Sequence, residues 1–172
     1  MKRKLLIVLA LLVPVVIAGC IASGTIVLVF DVEGFGSSNA TLDRRNINLA
    51  DNGDYDDHKD NLKSVDAITL AGFIVNHGTS DVSAEAWISD DSTLTTVGDI
   101  QNNGTLIFVS PTIPAGDTLF LTWSDGMQYM RNIGVLEDEI KDDGVFTMYG
   151  IASGPFNLVY DLSIVITITA GL

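Results

Sequence analysis

The sequence predicts an all-β protein, an antiparallel sandwich of about seven strands with two short helical insertions. The first supporting observation is a set of short runs in which apolar and polar residues alternate, as they do along a half-buried strand. The second is the turn chemistry between these runs, which is rich in Asn, Asp, Gly and Pro. The predicted strands cover residues 25–32, 67–76, 82–89, 105–109, 118–123, 145–152 and 158–169.

The last of these runs shows the alternation most clearly. Its even-numbered residues from Leu158 to Ile168 form an apolar stripe, whereas Asp161 and Ser163 lie on the opposite side. We expect one face of each strand to point into a shared core. The predicted core residues are Phe30, Leu70, Ile74, Leu121, Phe146, Ile164 and Ile166.

Two segments have helical patterns instead. Residues 54–64 form the first predicted helix, and residues 127–142 form the second. In the second, apolar residues recur at helical spacing, and Asp143-Gly144 is a typical helix end. Gly134 should weaken this helix by about 1 kcal/mol relative to alanine, so we expect it to pack against the sheet.

The acidic stretch DNGDYDDHKD, which opens the first helix, admits two interpretations. In one, Asp51 or Asn52 caps the helix, and the following aspartates lie near its positive N-terminal end. In the other, the stretch forms a calcium loop, because calcium is bound by carboxylate and carbonyl oxygens. The candidate ligands are Asp51, Asp54, Asp56 and Asp57. The spacing does not fit an EF-hand, because Asp57 stands where that loop requires glycine.

Two of the turn sequences resemble those of bacterial Ig-like surface modules. They are NHGTS at residues 76–80, a predicted hairpin turn between two predicted strands, and IPAGD at residues 113–117, before another strand. The resemblance covers residues 65–123 and implies an Ig-like β-sandwich. It bears on the fold class alone.

The first twenty residues have the features of a secretory signal. Three basic residues follow Met1, an apolar stretch runs from Leu5 to Ala18, and small residues end it. The tetrapeptide Ile-Ala-Gly-Cys at residues 17–20 resembles the lipobox of bacterial lipoproteins. In that family the cysteine receives a lipid and the peptide bond before it is cut, here between Gly19 and Cys20. The resemblance implies a signal peptide at residues 1–19, a lipid-anchored tether at 20–24 and a single domain at 25–172.

Two alternatives to this interpretation remain open. An ordinary signal peptide could be cut nearby, which would leave Cys20 as a free thiol. The segment could also stay as a transmembrane helix, although residues 5–22 fall slightly short of the roughly 20 that a span needs. Either anchored form places the domain outside the cytoplasm, because the positive flank stays inside. We expect a location in the cell envelope, and in the outer membrane if the host is diderm, because Ile21 differs from the aspartate that retains enterobacterial lipoproteins in the inner membrane.

The charge balance limits the partners of the mature chain. The signal carries three of the nine basic residues and none of the 22 acidic residues, so the formal charge after cleavage is −16. Nucleic acid and anionic lipid surfaces would be repelled by this charge. The remaining partners that we expect are the membrane, through the N-terminal lipid, and an envelope protein.

The sequence contains no recognisable catalytic motif, and we expect a non-enzymatic protein. His58 and Asp54 could form a dyad, but no serine lies in a nucleophile context, and His77 falls in a predicted turn. Cys20 is the only cysteine, so lipidation leaves no thiol for a disulfide, a metal site or catalysis. We favour a structural or protein-interaction role. The alternative is a surface-tethered module that binds calcium or a sugar, the latter through Trp87, Trp123, Tyr129, Tyr149 and Tyr160.

Overall fold

The computed structural model describes residues 23–38, 42–153 and 157–171, and the side chains of all but 33–38 and 157 among them. The signal segment, the cleavage site at Gly19 and the lipidation site at Cys20 lie outside these ranges. The described elements are β1 Gly24–Ser38, β2 Leu42–Asn48, α1 Gly53–His58, β3 Leu62–Asn76, β4 Ala84–Ser89, α2 Val97–Asn103, β5 Thr105–Val109, β6 Thr118–Leu121, α3 Trp123–Tyr129, α4 Ile133–Lys141, β7 Val145–Ala152 and β8 Asn157–Ala170. Two 3-10 turns, Leu49–Asp51 and Lys59–Asn61, flank α1.

The strands form two antiparallel four-stranded sheets, which confirms the β-rich, two-sheet prediction. Sheet A has the order β1-β8-β3-β6, and sheet B has the order β2-β7-β4-β5. The sheets pack face to face, because one core cluster contains Leu28 and Ile164 from sheet A together with Ile88 and Phe146 from sheet B. Except for β4 and β5, consecutive strands lie in opposite sheets. This is the connectivity of an eight-stranded jelly roll.

The Ig-like part of the prediction is not confirmed. An Ig sandwich places its first two strands side by side in one sheet. Here β1 belongs to sheet A and β2 to sheet B. The predicted hairpin at residues 76–80 likewise joins β3 in sheet A to β4 in sheet B, so it crosses between the sheets.

β8 lies at the centre of sheet A and pairs along its length with both β1 and β3. Ile164, for example, lies opposite Phe30 on one side and Leu70 on the other. The apolar stripe of β8 points into the core, as predicted. The predicted core residues that are buried are Leu70, Ile74, Leu121, Phe146, Ile164 and Ile166. Phe30 of the edge strand β1 is only half-buried and packs against the core cluster, whereas Leu28 and Val32 on the same strand are buried.

The structure corrects the predicted helices. The first is shorter than expected, since α1 ends at His58 and β3 begins at Leu62. The second is two helices, α3 and α4, because Met130 pairs with Phe108 in a β-bridge and Asn132 adopts a positive φ of 45°. A third helix, α2, was not predicted. No helix in the described ranges has the length and apolar composition needed to cross a membrane.

Helix α3 covers the part of the β3 edge that β6 leaves unpaired. β6 pairs only with residues 72–75 of β3, and α3 then runs beside Thr69 and Leu70. A Cβ atom at Gly126 would lie 2.0 Å from the carbonyl oxygen of Leu70. The hydroxyl of Thr69 donates a hydrogen bond to the carbonyl of Trp123 at 3.4 Å. This contact protects backbone groups that would otherwise be open to pairing with another chain.

Candidate functional site

The described residues surround an apolar cavity of about 60 Å³ between the two sheets. One ordered water needs only about 10–15 Å³, so the cavity is several times larger than a packing defect filled by one water. Sheet A contributes large side chains such as Leu70, Ile74 and Leu162. The cavity arises because sheet B contributes small inward-facing residues opposite them. These residues are Ala84, Ala86, Gly150 and Ala152.

A polar cluster of Asp43, Arg45 and Tyr160 forms part of the cavity wall. Asp43 points inward from β2 and is only 8 % exposed. Its carboxylate accepts a hydrogen bond from the backbone N–H of Arg44 at 2.7 Å and another from the hydroxyl of Tyr160, which reaches across from sheet A. Arg45 Nη1 lies 3.8 Å from the same carboxylate. A buried carboxylate is costly unless it is paired, and this cluster supplies the partners.

The environment of Tyr160 determines the direction of its hydrogen bond. Burial raises the pKa of this phenol strongly, and the hydrogen bond to the Asp43 carboxylate raises it further. Tyr160 therefore remains protonated across the physiological pH range. Its proton is directed at Asp43, so the cluster combines this acceptor carboxylate with the donor groups of Arg45.

The sequence carried one signal for this cluster. Asp43, Arg45 and Ile47 alternate with period two, as the inward-facing residues of a strand do. Because charged residues occupy inward positions of β2, this strand lacks the alternation of apolar and polar residues that predicts a strand. Tyr160 was predicted as part of the apolar stripe of β8. Its hydrogen bond to Asp43 of β2 joins the two sheets, so local sequence patterns could not indicate it.

The outward-facing side of sheet A is a second candidate site, here called the outer face. Val27 and Val29 of β1 are 57 % and 50 % exposed, and Val165 of β8 lies beside Val29. At the other edge, Phe120 of β6 is 70 % exposed, and its ring centroid lies 6.3 Å from that of Phe73. The outer face therefore exposes apolar side chains on both of its edge strands.

Acidic side chains share the outer face. Asp31 accepts a hydrogen bond from the Ser163 hydroxyl at 2.8 Å, and Asp66 accepts one from the Thr169 hydroxyl at 2.7 Å. The hydrogen bonds from Ser64 and Thr169 lower the pKa of Asp66, which keeps this carboxylate ionised. Asp161 lies opposite Phe73 in the register of β8 and β3. The apolar side chains thus lie among fixed negative charges.

The predicted acidic loop contains a capped helix. The side chain of Asn52 accepts hydrogen bonds from the backbone N–H groups of Asp54 and Tyr55 at 3.0 and 3.3 Å, which confirms the cap interpretation for Asn52. Tyr55 is buried, and its hydroxyl donates to the carbonyl of Ile140 at 2.7 Å. This bond ties α1 to α4.

The candidate calcium ligands have other partners or are exposed. Asp51 accepts from the Asn48 amide at 3.2 Å, and Asp56 pairs with Lys59 at 2.6 Å. Asp54 and Asp57 are exposed. Within residues 23–38, 42–153 and 157–171, no group of three or more His, Cys, Asp or Glu side chains is arranged to hold a metal ion. Calcium binding by Asp51, Asp54, Asp56 and Asp57 stays a prediction.

A different acidic cluster surrounds Glu139 on α4. Burial raises the pKa of Glu139, and the nearby carboxylates of Asp90, Asp143 and Asp142 raise it further. Asp90 follows β4 and is remote in sequence, so sequence analysis could not place it here. The cluster makes the ionised form of Glu139 unfavourable in the folded protein.

The histidines and tryptophans have structural surroundings. Nδ1 of His58 lies 2.8 Å from the backbone oxygen of Asp54, and His77 is exposed in the loop after β3. Trp87 is half-buried and donates to the carboxylate of Glu85 at 2.9 Å. Trp123 is half-buried at the start of α3. Among the described side chains, Phe120 is the one exposed aromatic residue.

Comparison with known proteins adds little to this description. No protein-family model and no curated protein matches the chain. A solved structure from Desmodium yellow mottle tymovirus is similar over 87 % of this chain and 88 % of its own, at 9 % identity and a TM-score of 0.39. One from turnip yellow mosaic virus is similar over 87 % and 82 %, at 12 % identity and a TM-score of 0.39. A recombinantly expressed latent aurone synthase (polyphenol oxidase) is similar over 77 % of this chain and 25 % of its own, at 11 % identity and 0.38. TM-scores this low do not show a shared fold.

Proposed function

We propose that this chain is a non-enzymatic lipoprotein of the cell envelope, which holds a protein partner at the membrane surface. The lipobox resemblance at residues 17–20 supports a lipid anchor on Cys20. In a diderm host the destination is the outer membrane. The interaction role is supported by the exposure of Val27, Val29 and Phe120 on the outer face of sheet A.

The first part of the edge strand β1, residues 25–30, lacks the features that usually protect such strands. Protected edges carry charged side chains, proline or a bulge. Residues 25–30 of β1 read TIVLVF, without a charge or a proline, and the register shift in its pairing with β8 comes only after Val32. These features favour a partner that contacts the outer face through apolar side chains.

The charge of the outer face indicates what kind of protein would bind. Asp31, Asp66 and Asp161 lie among the exposed apolar residues, and the whole chain has a formal charge of −13. Complementary charge steers association and selects partners. We therefore propose a protein partner with an apolar strip bordered by Lys and Arg.

Site-specific cross-linking in cells of the native host tests this proposal. A photoreactive amino acid is placed at Val27 in one variant and at Val145 in another. Val145 is the matched control, because it is 49 % exposed and lies on β7 of the other sheet. We expect a discrete protein adduct from position 27 and none from position 145.

A second substitution connects the adduct with the outer face. Val29→Glu removes an exposed apolar side chain and adds a negative charge, without touching the core. It should abolish the adduct from position 27, whereas Val145→Glu should leave it unchanged. Equal adducts at positions 27 and 145, no adduct at either, or an adduct that survives Val29→Glu would each refute the interaction role.

A further inference from the structure

We propose that the cavity between the sheets binds a small aliphatic molecule that carries one neutral hydrogen-bond donor, such as a primary alcohol. This site is separate from the proposed interaction role, because it lies between the sheets and not on the outer face. Arg45 lines this partly open cavity, and its side chain is 34 % exposed to solvent.

The cavity exists because small residues occupy inward positions of sheet B. Asp43, Gly150, Ala86 and Phe108 lie side by side in one row across β2, β7, β4 and β5. A Cβ atom at Gly150 would meet only the Cβ of Asp43, at an ordinary 3.8 Å, so alanine fits there without strain. Protein interiors are usually packed as densely as organic crystals, and empty volume lowers stability. The chain nevertheless has the smallest residues where larger ones could fill the space.

The apolar lining favours a ligand whose main part is a hydrocarbon chain. Leu70, Ile74 and Leu162 of sheet A face Ala86 and Gly150 of sheet B across the cavity. Ligand pockets of this type are mostly apolar, with a few polar groups that orient the bound molecule. A short saturated chain matches this lining.

The polar cluster determines the head group. A carboxylate has about four acceptor positions, and Asp43 receives hydrogen bonds from the Arg44 N–H and the Tyr160 hydroxyl. It can therefore accept a further hydrogen bond from a ligand. A carboxylate head group would meet the Asp43 carboxylate, and an ammonium head group would meet the Arg45 guanidinium, which lies 3.8 Å from that carboxylate. A neutral alcohol is thus favoured over either charged group.

Titration of the folded protein with three molecules of equal length tests this site. The probes are 1-butanol, butylamine and butanoate, followed through the backbone amide resonances in ¹H–¹⁵N spectra. We expect saturable shifts at Ala86 and Gly150 with the alcohol, and binding of butylamine and of butanoate weaker by about tenfold or more. Shifts that never saturate, or a charged probe that binds as tightly as butanol, would overturn the proposal.

Three variants connect the binding with the cavity. Gly150→Ala and Ala86→Val each add a small group to the cavity wall, and each should weaken butanol binding by about tenfold, because apolar pockets discriminate single methylene groups on this scale. Asp43→Asn keeps the size of the side chain but removes its negative charge beside Arg45, so it should strengthen butanoate binding relative to butanol binding. Unchanged affinities in both filling variants, in folded protein, would show that the probes bind elsewhere. Loss of the cross-link from the outer face would not affect this result, so the two proposals fail separately.

Discussion

Replacing Gly126 with alanine should destabilise the protein, because α3 contacts the β3 edge at this residue. The new Cβ would lie 2.0 Å from the carbonyl oxygen of Leu70 and 2.3 Å from the hydroxyl of Thr69, whereas ordinary contacts begin at 3.4 Å. The carbonyl belongs to the backbone of a paired strand and cannot turn away, so α3 must move outward. Overpacking of this kind costs about 3 kcal/mol at its upper range. The better helix propensity of alanine offsets about 1 kcal/mol. The expected net loss is about 2 kcal/mol.

The same substitution at Gly134 provides a matched control. Gly134 lies on α4, is exposed and has nothing within 4 Å of its Cβ position. Gly134→Ala should therefore raise the free energy of unfolding by about 0.5–1 kcal/mol. Equilibrium unfolding in urea, followed by far-UV circular dichroism, measures both; a 2 kcal/mol loss shifts the midpoint by about 1 M. If Gly126→Ala unfolds at the same urea concentration as Gly134→Ala, α3 does not contact β3 as described.

Three further substitutions test the core, the acidic cluster and the helix cap. Ile164→Ala truncates a buried residue of the central strand and should lower the free energy of unfolding by about 2–5 kcal/mol in urea; an unchanged midpoint would mean that β8 is not central. Glu139→Gln should raise the melting temperature at neutral pH. Because the folded-state pKa of Glu139 is raised, its favourable contribution is complete below the unfolded value near 4.5 and is lost as the pH rises through the folded pKa, so the gain should vanish in acid. A gain of equal size at every pH would contradict this reasoning. Asn52→Ala should cost about 1 kcal/mol in thermal unfolding with or without calcium. If the predicted calcium loop exists, calcium at a hundredfold excess over its dissociation constant should add about 2.7 kcal/mol to the native protein, and a melting curve that does not move shows a helix cap alone.

Strands rich in apolar residues could be predicted from the sequence. The predicted runs at 105–109 and 145–152 have the bounds of β5 and β7, and that at 158–169 falls one residue short of β8 at each end. The apolar and β-branched residues of β5 and β7 and the alternation along β8 suffice to identify these strands. β2 could not be predicted in this way, because Asp43 and Arg45 occupy its inward positions.

Strand order depends on contacts between distant residues, which turn sequences do not encode. The NHGTS sequence resembled a hairpin, yet the structure uses Asn76 to join two loops. Its buried side-chain amide donates to the carbonyls of Ser80, Ile113 and Pro114 at 2.9, 3.0 and 3.2 Å. Its side-chain oxygen accepts from the N–H of Gly78 at 2.9 Å. One asparagine thus stabilises the crossing between the sheets, and its role is visible only once both loops are placed.

The helices differ from the prediction for similar reasons. The apolar spacing across residues 127–142 is helical, but Arg131 donates its backbone N–H to the carbonyl of Ile107 at 2.8 Å, and the side chain of Asn132 donates to the carbonyl of Leu106 at 2.9 Å. These tertiary bonds along β5 interrupt the helix. In α2, Ile100 is the buried residue, so the segment has no apolar stripe to detect. The cavity also lacks a sequence signal, because it depends on which small residue faces which large one across the sandwich.

The lipid anchor is the claim on which the proposed role at the membrane depends, and intact-mass measurement of protein extracted from host membranes tests it most directly. The account predicts a chain that begins at Cys20 and is heavier than the unmodified polypeptide by the mass of the attached lipid. A Cys20→Ser variant should lose this added mass and leave the membrane fraction. A mature chain of unmodified mass, or one that still carries residues 1–19, would contradict the account.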